Sequence, residues 1–281
     1  MMINGSTRLF GILGNPVAHS LSPAMHNAAF KAQGIDAVYI PLATAELETA
    51  FAGIKALPFT GVSVTVPHKV AILPLLDAVD PVAEKIGAVN TLLFKQRADG
   101  RMQCTGVNTD WLGANQALEE AIPLAGASVL LLGAGGAARA VGFGLKEAGA
   151  QVQLHNRTED RGRELAAQLD CPFLTAGELR GLRADILVNA TSVGMEPDTE
   201  AIPIEPDFLS NFRVVMDIVY APLETRLLRE AAERGCLTVP GSAMLLYQAA
   251  AQWRLWLGQE PPVEVMCAAM EEGLKKRREA V

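Results

Sequence analysis

Cysteine is scarce in this chain of 281 residues. The 4 cysteines lie more than 30 positions apart, and none belongs to a C-x-x-C pair. This spacing excludes a zinc ribbon and a disulfide framework, and it is typical of reduced thiols in the cytoplasm. The 4 histidines also lack the H-x-x-x-H and H-E-x-x-H spacings of a metal site, so we expect no metal.

Positive charge and long apolar runs are lacking as well. Lysine and arginine number 24 against 31 acidic residues, which argues against a nucleic-acid binder and against attachment to anionic lipid. The N-terminus has no basic segment followed by a long apolar run, so we expect no signal peptide. The uncharged stretch 121–138 is broken by Pro123 and four glycines, and it therefore predicts no transmembrane helix.

Half of the residues are hydrophobic, and the length predicts two domains of about 150 residues each, or one large domain. In the first part, Ser22 and Pro23 predict a helix with Ser22 as its N-cap and Gly34 at its end. A second helix is expected near 46–57. Four strands are expected here, the last two forming a hairpin: 37–42, 61–66, 89–95 and 102–108.

Strands and helices alternate strictly after a helix that starts at Asp110. This rhythm predicts a parallel sheet with helices on both faces. Two final helices, 242–257 and 263–279, have no strand to follow them, and we expect them to pack back on the first domain. The alternating elements are strands at 128–132, 151–155, 185–189, 214–219 and 237–239, with helices at 136–148, 159–169 and 225–234.

A glycine-rich turn links the strand at 128–132 to the next helix with the pattern G-x-G-x-x-A. Glycine lets the backbone turn tightly and lets a pyrophosphate approach the helix N-terminus. A structural turn of any α/β protein is the alternative interpretation. The residues expected to bind the cofactor here are Gly133, Ala134, Gly135, Gly136 and Ala137.

The strand at 151–155 ends in Asn156, Arg157 and Thr158, about twenty residues after the glycines. A site for NAD has Asp or Glu at this place to accept hydrogen bonds from the ribose hydroxyls. This chain offers donors, with Arg161 one helical turn further on, and donors suit the 2′-phosphate of NADP. A solvent-facing arginine at a helix start is the alternative.

Polar residues also follow the elements of the first domain, where ligand-contacting loops usually lie. Lys69 stands at a helix start, where a cation opposes the helix dipole. A lysine near Asp110 can transfer a proton, although each residue alone is equally compatible with an ordinary helix start. The other members of this set are Ser20, Ser22, Ser63, Thr65, Asn90, Thr91, Asn108 and Thr109.

Nine motifs in this chain resemble those of shikimate dehydrogenases, in the same order and over nearly the whole length. The first and fourth of them are highly specific. The motifs are G-N-P-V-A-H-S-L-S-P-A-M-H-N at 14–27, S-V-T-V-P-H-K at 63–69, G-A-V-N-T at 87–91, G-V-N-T-D-W-L-G at 106–113, G-A-G-G-A-A-R at 133–139, H-N-R-T at 155–158, N-A-T-S-V-G-M at 189–195, D-I-V-Y-A-P at 217–222 and G-S-A-M-L-L-Y-Q-A at 241–249.

The resemblance implies NADPH-dependent reduction of 3-dehydroshikimate to shikimate, in the pathway to aromatic amino acids. It assigns the substrate carboxylate to Ser20 and Ser22, and proton transfer to Lys69 and Asp110. Many members have Asn where this chain has Ser63, which leaves the contact of that residue open. The remaining implied contacts are Ser63, Thr65, Asn90, Tyr220 and Gln248 for substrate, and Thr191 and Gly241 for cofactor. His19 and His26 are expected to form local hydrogen bonds at the mouth of the substrate site.

The fold expected from the resemblance is α/β with two domains. Residues 1–109 form an α/β substrate domain completed by helices 242–281, and residues 110–241 form a Rossmann-type NADP domain. The protein is expected to be cytoplasmic, and a monomer or a homodimer. Two alternatives remain: a quinate/shikimate dehydrogenase that prefers NAD, and a non-catalytic NADP-binding regulator on the same fold.

Overall fold

The computed structural model describes residues 3–280 and divides into two compact units. The first unit comprises the chain up to Thr109 together with the segment from Ala249 onward, and the second comprises Asp110–Gln248. Among the described residues, no helix is both long and apolar enough to cross a membrane. The α/β fold class predicted from the sequence is confirmed.

The first unit contains a six-stranded mixed sheet with the order β2-β1-β3-β5-β6-β4. Strand β1 is parallel to β2 and β3, and β5 is antiparallel to β3 and β6, so the predicted hairpin is confirmed. The elements are β1 (Arg8–Gly14), α1 (Ser22–Ala32), β2 (Ala37–Ala43), α2 (Leu47–Ala56), β3 (Phe59–Val64), α3 (His68–Ala71), a 3-10 turn (Leu73–Leu75), β4 (Ala78–Val79), α4 (Pro81–Ile86), β5 (Thr91–Gln96) and β6 (Met102–Val107).

Strand β1 lies inside this sheet, between β2 and β3, although the sequence pattern did not reveal it. Two glycines weaken its signal, because glycine is depleted in strands and carries no side chain to pack. The structure explains the first of them: a Cβ on Gly11 would lie 2.9 Å from the Ile40 carbonyl oxygen and from the Leu42 side chain. Gly14 would likewise meet Thr65. The close approach of β2 and of the end of β3 therefore requires glycine.

Helix α1 begins differently from the prediction. Its N-cap is Leu21, and Ser22 is the first helical residue, so the assignment of Ser22 as N-cap is wrong. Ser22 is buried, and its N–H donates to the Ser20 hydroxyl at 3.3 Å. The end of the helix is as predicted, with Gly34 in the left-handed region at φ +65°.

The second unit contains a five-stranded, entirely parallel sheet with the order β11-β10-β9-β7-β8, as the alternation predicted. Alternate residues face two separate cores: Val129 and Leu131 pack in one, and Leu130 and Leu132 in the other. The elements are α5 (Asp110–Glu119), β7 (Ser128–Leu132), α6 (Gly136–Glu147), β8 (Gln151–His155), α7 (Glu159–Gln168), β9 (Ile186–Asn189), a 3-10 helix (Pro206–Asn211), β10 (Val214–Asp217), α8 (Arg226–Glu233) and β11 (Leu237–Pro240).

Two helices carry the chain from the second unit back to the first: α9 (Gly241–Leu257) and α10 (Val263–Ala280). Within the first unit, α10 packs on α1, and Trp256 of α9 lies against Gly61 of β3. The Trp256 indole N–H donates to the Leu92 carbonyl oxygen at 3.1 Å. The returning helices therefore complete the core of the first unit.

Candidate functional site

The glycine-rich turn follows the end of β7. The next strand, β8, lies on one side of β7 and the one after it, β9, lies on the other, so the strand order of the parallel sheet reverses at this point. Ligands of open α/β sheets bind at such switch points. Gly133 has φ +116°, and a Cβ there would lie 2.9 Å from the Ala190 carbonyl oxygen. Gly135 is exposed and precedes the 12-residue helix α6, and a Cβ on it would meet no atom within 4 Å. The turn therefore leaves a helix N-terminus accessible to an anion.

The loop after β8 presents two arginines to solvent. The Asn156 amide donates to the Thr158 carbonyl oxygen at 2.7 Å, so Asn156 braces the turn. Arg157, Thr158 and Arg161 are exposed. Among the described residues, neither guanidinium forms an ion pair. Two arginines without a carboxylate partner, and no acid at the strand end, suit a phosphate on the ribose.

The loop after β9 is held by Asn189, a fully buried residue that the site prediction did not include. Its amide oxygen accepts from the Thr191 N–H at 3.1 Å and from the Thr191 hydroxyl at 2.7 Å. The Thr191 hydroxyl in turn accepts from the Val193 N–H at 3.1 Å. The Thr191 hydroxyl proton is therefore engaged inside the loop.

Asp217 ends β10 beside Asn189, and its side chain is completely buried. Burial raises the pKa of Asp217 to about 6, and three hydrogen bonds to the carboxylate oppose that shift. The donors are the Thr225 hydroxyl at 2.7 Å, the Asn189 amide at 2.9 Å and the Val219 N–H at 3.0 Å. Thr225 is also the N-cap of α8.

In the first unit, backbone hydrogen bonds connect three places: the segment after β3, the segment before β5 and the end of β6. The Lys69 carbonyl oxygen, just beyond β3, accepts from the Val89 N–H at 2.8 Å. The Val64 N–H donates to the Asn90 carbonyl oxygen at 2.7 Å, and the Asn90 N–H donates to Val107 at 3.1 Å. The segments carrying Lys69 and Asn90 are therefore fixed relative to each other.

The Asn90 side chain is buried and bonded to its neighbours. Its amide oxygen accepts from the Thr109 N–H at 2.8 Å and from the Thr91 hydroxyl at 2.6 Å, and its nitrogen donates to the Thr109 hydroxyl at 2.9 Å. Asn108 donates to the Ala88 carbonyl oxygen at 2.9 Å. This network places the end of β6, immediately before Asp110, against the start of β5.

Ser63 lies inside the first unit, in a polar network that sequence reasoning missed. Its hydroxyl accepts from the Tyr39 hydroxyl at 2.7 Å and donates to the Gln252 amide oxygen at 3.0 Å. The Gln252 nitrogen donates to the Thr91 hydroxyl at 2.9 Å and to the Asn90 carbonyl oxygen at 3.2 Å. The Ser63 hydroxyl is thus engaged in tying β3 to α9. The only indication of this role in the sequence is that Gln252 lies one helical turn after the predicted site residue Gln248.

The expectation that His26 forms hydrogen bonds at a site mouth is wrong. His26 is on the inner face of α1, fully buried, and its ring stacks on Tyr39 with centroids 4.6 Å apart. No described group lies in hydrogen-bond geometry with either ring nitrogen, although the nearby Gln252 amide favours protonation slightly. Burial among aromatic rings lowers the pKa of His26 to about 3. His19, by contrast, is exposed.

His26→Phe should make folding less sensitive to acid. The unfolded imidazole takes up a proton below about pH 6.5, whereas the folded one stays neutral down to about pH 3, so the wild type loses stability across that window. The loss from this residue should reach about 2 kcal/mol at pH 5. Urea unfolding of both proteins at pH 7 and pH 5 measures it.

Asp217 acts in the opposite direction in this experiment, because its raised pKa gives stability that is lost as the pH rises through about 6. That contribution is common to both proteins and cancels in the comparison. An equal loss between pH 7 and pH 5 in wild type and variant would contradict a neutral, buried His26.

The other predicted site residues are distributed over both units. Ser20 and Thr65 are partly exposed in the first unit, and Ser22 is buried there. Asp110, Tyr220, Gln248 and Gly241 belong to the second unit. The Gln248 nitrogen donates to the Leu245 carbonyl oxygen at 2.9 Å. Because Lys69 and Asp110 belong to different units, their cooperation stays a prediction.

Comparison with known proteins identifies relatives over nearly the full length. The model of the shikimate dehydrogenase substrate binding domain matches residues 12–92, and that of the shikimate 5'-dehydrogenase C-terminal domain matches residues 241–271. Shikimate dehydrogenase (NADP(+)) of Moorella thermoacetica is 47% identical, over 98% of this chain and 96% of its own length.

Solved structures agree with these relatives. Shikimate 5-dehydrogenase of Thermus thermophilus, in complex with NADP(H) and shikimate, is 42% identical with a TM-score of 0.85, covering 95% of this chain and 100% of its own. Quinate dehydrogenase of Corynebacterium glutamicum, in complex with NAD, is 34% identical with a TM-score of 0.83, covering 95% of this chain and 99% of its own. Solved structures of this fold therefore include complexes with either dinucleotide.

Proposed function

This chain belongs to the shikimate dehydrogenase family, and we propose that it reduces 3-dehydroshikimate to shikimate with NADPH, reversibly. The observation that supports this function is the network of backbone hydrogen bonds that fixes the segments carrying Lys69 and Asn90 relative to each other, at the end of β3 and the start of β5. A small polyhydroxylated acid requires convergent donors and acceptors of this kind.

When bound, NADPH would supply the hydride to the substrate carbonyl carbon. The chain supplies the proton: the Lys69 ammonium donates it to the carbonyl oxygen, which becomes the hydroxyl of shikimate, and Lys69 accepts it in the reverse direction. The Asp110 carboxylate accepts a hydrogen bond from a ring hydroxyl and so orients the ring for this transfer. A positioned acid of this kind contributes about 10²–10⁴-fold to the rate.

The cofactor belongs to the second unit in this proposal. The accessible N-terminus of α6 would hold the pyrophosphate, and Arg157 with Arg161 would hold the 2′-phosphate. Gly133, Gly135 and Gly136 give the backbone room for that approach, and Ala134, Ala137 and Thr158 border it. Thr191 in the loop after β9 and Gly241 at the start of α9 complete the cofactor contacts, and Tyr220 in the loop after β10 contacts the substrate.

The deciding experiment is an activity matrix on the purified protein. Shikimate and quinate are each tested with NADP and with NAD. Shikimate with NADP should give the highest kcat/KM. Higher activity with quinate and NAD would replace the proposal by a quinate dehydrogenase, and NADP binding without turnover would indicate a regulator.

The substrate carboxylate is proposed to bind the Ser20 and Ser22 hydroxyls beside the N-terminus of α1. Replacing both by alanine should raise KM for shikimate by about 10-fold or more, because hydrogen bonds to a charged group contribute about 1.5–3 kcal/mol each. The fall in kcat should be smaller, since the proton-transfer residues are unchanged.

The single variants and the melting temperature separate binding from folding here. Because Ser22 does not cap α1, Ser22→Ala should not lose the stability of an N-cap. If the double variant melts earlier but keeps the wild-type KM, then the carboxylate binds elsewhere.

We also propose a cytoplasmic location, consistent with four free cysteines, all within the described residues. A monomer or a homodimer remains the expectation for the assembly, and sedimentation velocity would distinguish them.

A further inference from the structure

Two neighbouring strands of the second unit end on buried polar side chains, which is unusual in strands that are otherwise apolar. Asn189 ends β9 and Asp217 ends β10, and the two residues are paired in register across the sheet. Both have no exposed surface. Burying a polar group is unfavourable unless it is hydrogen-bonded, so such a pair requires a full set of partners.

The Asn189 amide uses its whole hydrogen-bonding capacity. Its nitrogen donates to the Asp217 carboxylate at 2.9 Å and to the Val193 carbonyl oxygen at 3.2 Å. Its oxygen accepts the N–H and the hydroxyl of Thr191. The Asp217 carboxylate therefore fixes the orientation of the amide that holds the loop after β9.

The same carboxylate fixes the loop after β10. The oxygen that accepts from Asn189 also accepts the Val219 N–H at 3.0 Å, one residue before Tyr220. Gly241 packs closely against this loop, since a Cβ there would lie 2.7 Å from the Val219 carbonyl oxygen. Little room remains for the loop to adopt another path.

The second carboxylate oxygen of Asp217 serves a different element. It accepts the Thr225 hydroxyl at 2.7 Å, and that hydroxyl accepts the Leu228 N–H at 3.3 Å as the cap of α8. One carboxylate oxygen of Asp217 thus serves the loops after β9 and β10, and the other serves the N-terminus of α8. Variants can therefore remove the contacts of either oxygen separately.

We propose that Asp217 and Asn189 are a positioning pair for the reaction: the carboxylate acts through the amide to hold Thr191, and through the Val219 N–H to hold Tyr220. Neither residue of the pair contacts a ligand in this proposal. The inference rests on the proposed function, because Thr191 and Tyr220 are ligand contacts only within it.

The test compares four variants and one control variant by NADPH fluorescence titration, shikimate kinetics and melting temperature. Asp217→Ala and Asn189→Ala should each raise the Kd for NADPH by about 10-fold, the scale of a lost hydrogen bond to a charged group. The double variant should show about the same factor and not its square, because the two residues act as one unit. Asp217→Asn should restore most of the affinity, since its amide oxygen can still accept from Asn189 and Val219.

Thr225→Val is the matched control, because it removes a hydrogen bond from the same carboxylate but on the helix side. It should lower the melting temperature and leave the Kd for NADPH unchanged. The proposal would be overturned if Thr225→Val weakened NADPH binding as much as Asp217→Ala does. It would also be overturned if the factors of the two alanine variants multiplied in the double variant. If Asp217→Ala does not fold, Asn189→Ala against Thr225→Val decides the question. The binding measurement is independent of turnover, so a wild type without shikimate activity would disprove the proposed function without affecting this comparison.

Discussion

Replacing Lys69 by alanine should lower kcat for shikimate oxidation by about 10²–10⁴-fold, the usual contribution of a positioned acid or base. The affinity for NADPH should stay close to that of the wild type, because the proposed cofactor residues all belong to the second unit. Lys69 belongs to the first unit, in the short helix α3, where its carbonyl oxygen is anchored by the Val89 N–H. Steady-state kinetics and NADPH titration on the same preparation give both values.

Lys85→Ala is the control for this variant, since it removes an exposed lysine from the first unit. It should leave kcat, KM and the Kd for NADPH unchanged. The assignment of Lys69 fails if Lys69→Ala loses NADPH affinity while keeping its turnover.

Arg157→Ala should weaken NADPH binding by about 1.5–3 kcal/mol, which is roughly 10-fold to 150-fold. NADH lacks the 2′-phosphate, so its affinity should hardly change, and the ratio of the two dissociation constants is the quantity to measure. Arg157 is exposed and has no ion-pair partner among the described residues, so its removal should not destabilise the unit.

Arg183→Ala removes another exposed arginine of the same unit and should leave both dissociation constants unchanged. Arg161→Ala should also weaken NADPH binding, as Arg157→Ala does. An equal loss for NADPH and NADH in Arg157→Ala would show that Arg157 has a structural role only.

Local sequence patterns predicted the second unit well because its elements are regular. Strand 128–132 and strand 151–155 were placed at their observed bounds, since each is an apolar run between turn residues. The parallel sheet followed from alternation alone. The prediction failed at β1, where Gly11 is required by contacts with a neighbouring strand that no local pattern encodes.

The residues of the candidate site likewise divide into those that local sequence patterns indicate and those that they do not. Gly133 and Arg157 could be proposed as site residues from the sequence, because a glycine turn and the residue type at a strand end are local signals. Asn189 and Asp217 could not be assigned a role in that way, since their meaning depends on β9 and β10 being neighbours in register. His26 was misplaced for a related reason, because only the packed core shows that it lies against Tyr39.

The sequence by itself thus determined the class of fold, the family and the chemistry offered by individual residues such as Lys69. These depend on residue type and spacing along the chain. Only the tertiary structure decided which polar groups are engaged with one another, as Ser63 is with Tyr39 and Gln252. Residues 189 positions apart meet in that network. Their contact is favourable only after folding has removed water from both of them, and no local preference of the chain specifies it.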